Sequence, residues 1–245
     1  NEYMPEEVLR KEKLMYYNEA VKNVHFPENE ENLKKARERL AFDELFLIQL
    51  KALQKKWYWQ NIQREEPKKI EIQLEVLKKC IESLPFTLTK AQKRVLNEIL
   101  RDFQKEHPMI RLVQGDVGSG KTIVAALAAL NVIKSGYQVC LMAPTEILAK
   151  QHYKNFLTTL KDFRLNIQFI AGSTTKKQKE EVIRQMKTGT VDITIGTHAL
   201  IQEGIGFKNL GLAIIDEQHR FGVKQRAVLK EMGTPHLLTM TATPI

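Results

Sequence analysis

Apolar residues recur at three- and four-residue steps from Leu33, Ala36 and Leu40 through Phe42, Leu45, Phe46, Leu50 and Leu53 to Trp57, with Lys, Arg and Glu on the other face. That spacing predicts one long amphipathic helix over 31–59. A shorter pattern of the same period runs through Ile70, Leu74, Leu77 and Ile81, with Pro67 as the break between the two and Pro27 closing an opening helix. The period changes after Ser83-Leu84-Pro85-Phe86. Short β-branched runs then alternate with helical stretches, and strands are predicted at 110–113, 139–143, 167–171, 193–196, 212–216 and 237–241. These runs are almost continuously apolar, so the strands should be buried on both faces and covered by helices such as 123–133 and 147–160. The expectation is an α/β fold: a helical region over 1–83, then an open parallel sheet over 84–245 with helices on both faces. Ligands of such sheets bind beyond the carboxyl ends of the strands.

Composition adds limits and a direction. The chain has 245 residues, 43% hydrophobic and 27% charged, which suits globular structure of one or two domains. Its longest apolar stretch, around Ile123 to Ile133, falls well short of the roughly 20 residues that span a bilayer. No basic flank with an apolar core opens the chain, and two cysteines, Cys80 and Cys140, form neither a disulfide framework nor a metal-ligand spacing. A cytoplasmic, monomeric protein is expected, and an initial Asn suggests truncation or processing. Charge is unevenly placed. Residues 1–83 carry 16 basic and 16 acidic side chains, whereas 84–245 carry 22 and 13, so the net +9 belongs to the second region and points to a polyanion.

Two motifs name the chemistry. Gly115-Asp116-Val117-Gly118-Ser119-Gly120-Lys121-Thr122 has the pattern of a phosphate-binding loop and lies between a predicted strand and a predicted helix. Gly115, Gly118 and Gly120 allow a tight loop whose N–H groups turn inward beside Ser119, Lys121 can bridge the outer phosphates, and Thr122 offers a hydroxyl to Mg2+. The apolar run 212–215 ends in Asp216-Glu217-Gln218-His219, placing two carboxylates at a strand tip, where a cation must offset their desolvation. Asp216 is assigned to Mg2+, and Glu217 to accepting a proton from attacking water.

These motifs, with Thr241-Ala242-Thr243-Pro244, resemble those of superfamily 2 helicases and translocases. Leu84 to Gln92, Ala143 to Ala149, Gly196 to Leu200 and Arg220-Phe221-Gly222-Val223 are similar to the RecG family of branched-DNA translocases. The resemblance implies a RecA-like first motor lobe over 84–245, with ATP and Mg2+ as cofactors and branched or double-stranded DNA as partner. It further implies that Gln92 reads adenine. Pro144, Thr145, Glu146, Gly172, Ser173, Thr197 and His198 would meet the DNA backbone, and Gln218, His219, Thr241 and Thr243 would couple nucleotide state to DNA grip. Residues 1–83 would be a connector to a DNA-wedge domain. On the same resemblance a second motor lobe carrying transition-state arginines is missing, so residues 84–245 alone should bind ATP and barely turn it over.

Three other readings stay open on sequence. A transcription-repair coupling translocase has a similar phosphate loop but commonly a Glu where this chain has Gln218. A binding module could hold ATP without turnover. A transporter-type ATPase shares the loop, yet no Leu-Ser-Gly-Gly segment occurs.

Overall fold

A computed structural model describes residues 2–61, 68–201, 205–216 and 235–242. Glu217, Gln218, His219 and Thr243 lie outside the described residues, as does the side chain of His198. The chain divides into two compact units, Asn1–Ile62 and Gln63–Ile245.

The first unit contains helices α1 (Glu6–Lys11), α2 (Tyr17–His25) and α3 (Glu30–Asn61). Its long helix matches the periodicity, but the buried row differs from the predicted apolar stripe. Ala36, Arg39 and Asp43 face inward, whereas Leu45, Leu50, Leu53 and Trp57 are exposed. At 1.5 Å per residue α2 is much too short to cover a helix the length of α3. Arg39 is fully buried, and its guanidinium donates to Asp43 Oδ1 at 2.8 Å, Glu2 Oε1 at 2.7 Å and the Met15 carbonyl at 2.6 Å. The Arg39 hydrogen bonds hold the Glu2 carboxyl far below the usual carboxylate range. Removing one partner of such a buried pair costs about 3–5 kcal/mol, because the remaining charge is left desolvated and uncompensated.

Among the described residues the second unit forms a six-stranded sheet in the order β1-β6-β5-β2-β4-β3, with every neighbouring pair parallel. Its strands are β1 (Ile110–Gln114), β2 (Gln138–Met142), β3 (Ile167–Ile170), β4 (Ile193–Gly196), β5 (Leu210–Asp216) and β6 (His236–Thr241). All six predicted strands are present with ends displaced by two residues or fewer. Helices α4 (Leu74–Glu82), α5 (Lys90–Asp102), α6 (Lys121–Lys134) and α7 (Glu146–Thr159) cover one face. There Leu127 and Leu130 of α6 and Phe156 of α7 pack with Leu141, Ile195 and Ile214. On the other face α8 (Lys176–Thr188) brings Val182 and Met186 against Met142, Ala213 and Ile215. Consecutive strand residues thus feed opposite cores, which is why these segments read as unbroken apolar runs.

Residues 68–83, grouped by the sequence expectation with the preceding helix, are built into the sheet unit. The reason is a set of polar clasps that hydrophobic periodicity does not reveal. Buried Asn131 of α6 accepts from the Gln73 N–H at 2.7 Å and donates to the Glu71 carbonyl at 3.0 Å. Ile70 N–H bonds the Phe103 carbonyl, and Lys68 Nζ donates to the Leu210 carbonyl at 2.7 Å.

His236 holds the start of the same segment. Its Nδ1 accepts from Met109 N–H at 2.9 Å and its Nε2 donates to the Lys68 carbonyl at 2.8 Å, an arrangement that only the neutral ring satisfies. Burial lowers its pKa from the ordinary 6.5. The unfolded chain therefore takes up a proton near 6.5 that the folded chain accepts only at lower pH. His236 should contribute its full stability above that value and lose it as pH falls through the folded pKa. Thermal melts between pH 7.5 and 5.5 check this: the melting temperature should drop in acid, and His236→Asn should flatten the drop.

Candidate functional site

Because all six strands run in one direction, the loops that follow them meet along one edge of the sheet. The order places β1, β6 and β5 together, so the phosphate-binding loop, Thr241 and Asp216 are neighbours. The segments after β2, β4 and β3 form the other half of the same edge and hold the candidate DNA contacts.

The loop between β1 and α6 has the backbone its glycines predict. Gly118 and Gly120 have φ of 84° and 82°, a left-handed conformation that side-chain-bearing residues avoid. A Cβ on Gly120 would also collide with the Gln92 amide, and one on Gly115 would lie 2.8 Å from Ser119 Oγ. Lys121 Nζ folds onto the loop and donates to the carbonyls of Gly115 at 2.6 Å and Asp116 at 2.9 Å. These partners are uncharged carbonyls, so a phosphate oxygen is the stronger competitor for the ammonium. Thr122 stands at the second position of α6, half-buried.

Gln92 is engaged at both ends of its amide. Thr89 caps α5, accepting from Gln92 N–H, while Gln92 Oε1 accepts from Thr89 N–H at 2.9 Å in a reciprocal capping box. Gln92 Nε2 donates to the Ser119 carbonyl at 2.9 Å. This side chain braces the phosphate loop against the start of α5, and one lone pair and one N–H remain for a base. The Thr-x-x-Gln spacing of Thr89 and Gln92 carries this capping signal in the sequence.

Thr241 is buried at the end of β6, paired with Gln114, and its carbonyl accepts from Gly115 N–H at 3.3 Å. A candidate coupling residue is therefore joined directly to the first residue of the phosphate loop. Asp216 ends β5, and its Oδ2 lies 2.7 Å from Nε2 of His152 on α7. His152 was not anticipated. Ala149, His152 and Phe156 form one buried row on α7, and a polar member in an otherwise apolar row was the available signal.

In the other half, Thr145 caps α7 by accepting from Leu148 N–H at 3.3 Å, which leaves its hydroxyl proton to donate. Pro144 precedes it. Glu146, the first residue of α7, bonds the Ser173 hydroxyl and accepts from Ser173 N–H at 3.4 Å, and Lys150 Nζ lies 2.8 Å away. The hydrogen bonds from Lys150 and Ser173 lower the Glu146 pKa. Gly172 has open space where a side chain would stand. Thr197 follows β4, and its N–H bonds the Ile170 carbonyl at 3.3 Å. Gly196 just before it admits no Cβ, since that atom would strike the same carbonyl. His198 opens a 3₁₀ turn.

The donors fit a magnesium nucleotide. Thr122 and Asp216 supply hard oxygens, and no group of three His, Cys, Asp or Glu side chains suited to a metal occurs among the described residues. Mg2+ is ordinarily held by one or two carboxylates together with substrate phosphates, not by a protein cage. Cys80 and Cys140 are buried free thiols, with burial pushing Cys80 up to about 11, so neither is a nucleophile here.

Residues 89–245 match the family model of DEAD/DEAH box helicases. The chain belongs to that family. The RecG ATP-dependent DNA helicase of Aquifex aeolicus is 49% identical over 253 aligned positions, and that of Synechocystis is 48% identical over 243. These alignments cover 100% and 99% of this chain but 32% and 29% of the relatives, so the chain spans about a third of their length. The structure of RecG bound to a three-way DNA junction superposes with a TM-score of 0.87 at 43% identity, over 100% of this chain and 33% of that one. The UvsW helicase of bacteriophage T4, at 16% identity and a TM-score of 0.54 over 72% of this chain and 62% of its own, shares the RecA-like fold.

Among the described residues no helix is long and apolar enough to cross a membrane.

Proposed function

We propose that the sheet unit, with residues 68–83 built into it and its site within 84–245, is the ATP-binding first lobe of a RecG-type translocase acting on branched DNA, and that the helices over 6–61 are its connector. The observation that carries this is the adjacency at one sheet edge of a phosphate-binding loop, the Thr241 carbonyl bonded to it and the Asp216 carboxylate. Lys121 and the loop N–H groups would hold the phosphates, and Thr122 and Asp216 would hold Mg2+, which neutralises charge developing on the transferred phosphoryl group. Glu217 would orient and deprotonate water. Gln92 would use its spare donor and acceptor on adenine, and Gln218, His219, Thr241 and Thr243 would relay the nucleotide state.

DNA would lie on the other half of the edge. Pro144 and Thr145, Gly172 and Ser173, and Thr197 and His198 offer hydroxyl and main-chain donors to phosphates, contacts that position without reading sequence. Glu146 would act by ordering Ser173 and Lys150, since a carboxylate repels phosphate. The net positive charge of this region favours such a partner, and the named RecG relatives support this reading over a transcription-repair coupling motor.

Titration of one duplex at 50 and 200 mM salt tests the DNA half. Affinity should fall roughly tenfold or more, since each neutralised phosphate releases counterion, and changing the duplex sequence should matter little. A flat salt response would return the basic excess to solubility.

A further inference from the structure

His152 has no part in the mechanism above, yet its ring touches the residue assigned to Mg2+. It is on the sheet-facing row of α7, buried, with Nε2 2.7 Å from Asp216 Oδ2. An ionised carboxylate only accepts hydrogen bonds, so Nε2 must carry the proton. The ring Nδ1 is buried with no hydrogen-bond partner among the described residues, and among those residues Asp216 is the polar group that this ring meets. The bond engages one carboxylate oxygen and fixes the carboxylate plane, leaving the second oxygen to ligate. Asp216 is on β5 and His152 on the helix that follows β2, the neighbouring strand. The same helix begins at Thr145 and Glu146. His152 is seven positions beyond Thr145, about 10 Å along the axis. One rigid helix thus has candidate DNA contacts at its tip and the hydrogen bond to the metal's carboxylate on its flank.

We infer that His152 is a positioning residue that orients Asp216 for Mg2+ and links the metal site to DNA held at the N-terminus of α7. The inference rests on the nucleotide-site reading above. Outer partners of metal ligands, when removed, typically lower metal affinity 10–100-fold. Linkage then requires that DNA binding and metal affinity alter each other by the same factor.

The test is Mn2+ titration of the whole chain with saturating ADP, with free Mn2+ followed by electron paramagnetic resonance, with and without a short duplex. ADP affinity in EDTA and a melting curve are recorded for each variant. His152→Ala should bind Mn2+ about tenfold or more weakly, with ADP affinity in EDTA unchanged, and His152→Gln should restore much of the loss by returning a donor to Oδ2. The duplex should shift Mn2+ affinity in the wild type and leave that of His152→Ala where it was. If the alanine variant does not fold, His152→Gln and His152→Asn carry the same comparison, since both are neutral amides and only the longer reaches Oδ2. Equal Mn2+ affinity in folded wild type and variant would overturn the inference alone. An absent duplex shift in the wild type, or an equal shift in both proteins, would overturn the link to α7. A folded wild type that took up no ADP with Mg2+ or Mn2+ present would overturn the nucleotide-site reading and this inference with it.

Discussion

Replacing Lys121 by alanine is expected to weaken ATP and ADP binding by about 100-fold or more while the protein remains folded. Truncating one partner of a hydrogen-bonded charge pair costs about 2–5 kcal/mol, and 2.7 kcal/mol is about 100-fold in a dissociation constant. The stability cost should be small, because the ammonium is at the edge of the loop and its partners are the carbonyls of Gly115 and Asp116, which water can satisfy. Substitutions of this kind change stability by about 0.5 kcal/mol, a shift of one or two degrees in melting temperature. Calorimetric titration and a thermal melt of both proteins check the two parts. Retained affinity would remove the phosphate role from Lys121, and a lost melting transition would make it structural.

The second large effect concerns turnover. In a chain that carries both motor lobes, Glu217→Gln should leave ATP affinity within about threefold and lower hydrolysis about 10²- to 10⁴-fold, the usual contribution of a positioned general base. The amide keeps the shape and cannot take the proton. If a second lobe supplies transition-state arginines, a chain that carries both lobes should hydrolyse ATP far faster with DNA than residues 1–245 assayed alone, since such arginines are worth about 10³–10⁵ in rate. Steady-state phosphate release with saturating DNA measures both. Near-normal turnover in Glu217→Gln would place the base elsewhere.

The strands were legible because burial on both faces leaves a simple trace: 193–196 was predicted and Ile193–Gly196 is observed, and the other five end within two residues of expectation. The phosphate loop was legible because a left-handed backbone at Gly118 and Gly120 admits few other residues. Polar contacts across long sequence separations were not. Nothing in the pattern pairs Asn131 with Glu71 and Gln73, so residues 68–83 read as part of the preceding helical region when they are clasped to the sheet unit. The same blindness hid Arg39 between Glu2 and Asp43, a row that faces inward while Leu50 and Trp57 of the apolar stripe are exposed. At the site, residue types with one familiar role concealed a second. Gln92 braces the phosphate loop, and Glu146 organises Ser173. His152, outside the motifs of the chain, bonds Asp216.

The central claim is that this sheet edge holds a magnesium adenine nucleotide. Equilibrium titration of the wild-type chain with fluorescent ADP and Mg2+ tests it most directly. The expected result is saturable binding of one nucleotide per chain, competed by ATP more strongly than by GTP. Absence of saturable binding by a folded chain would contradict it.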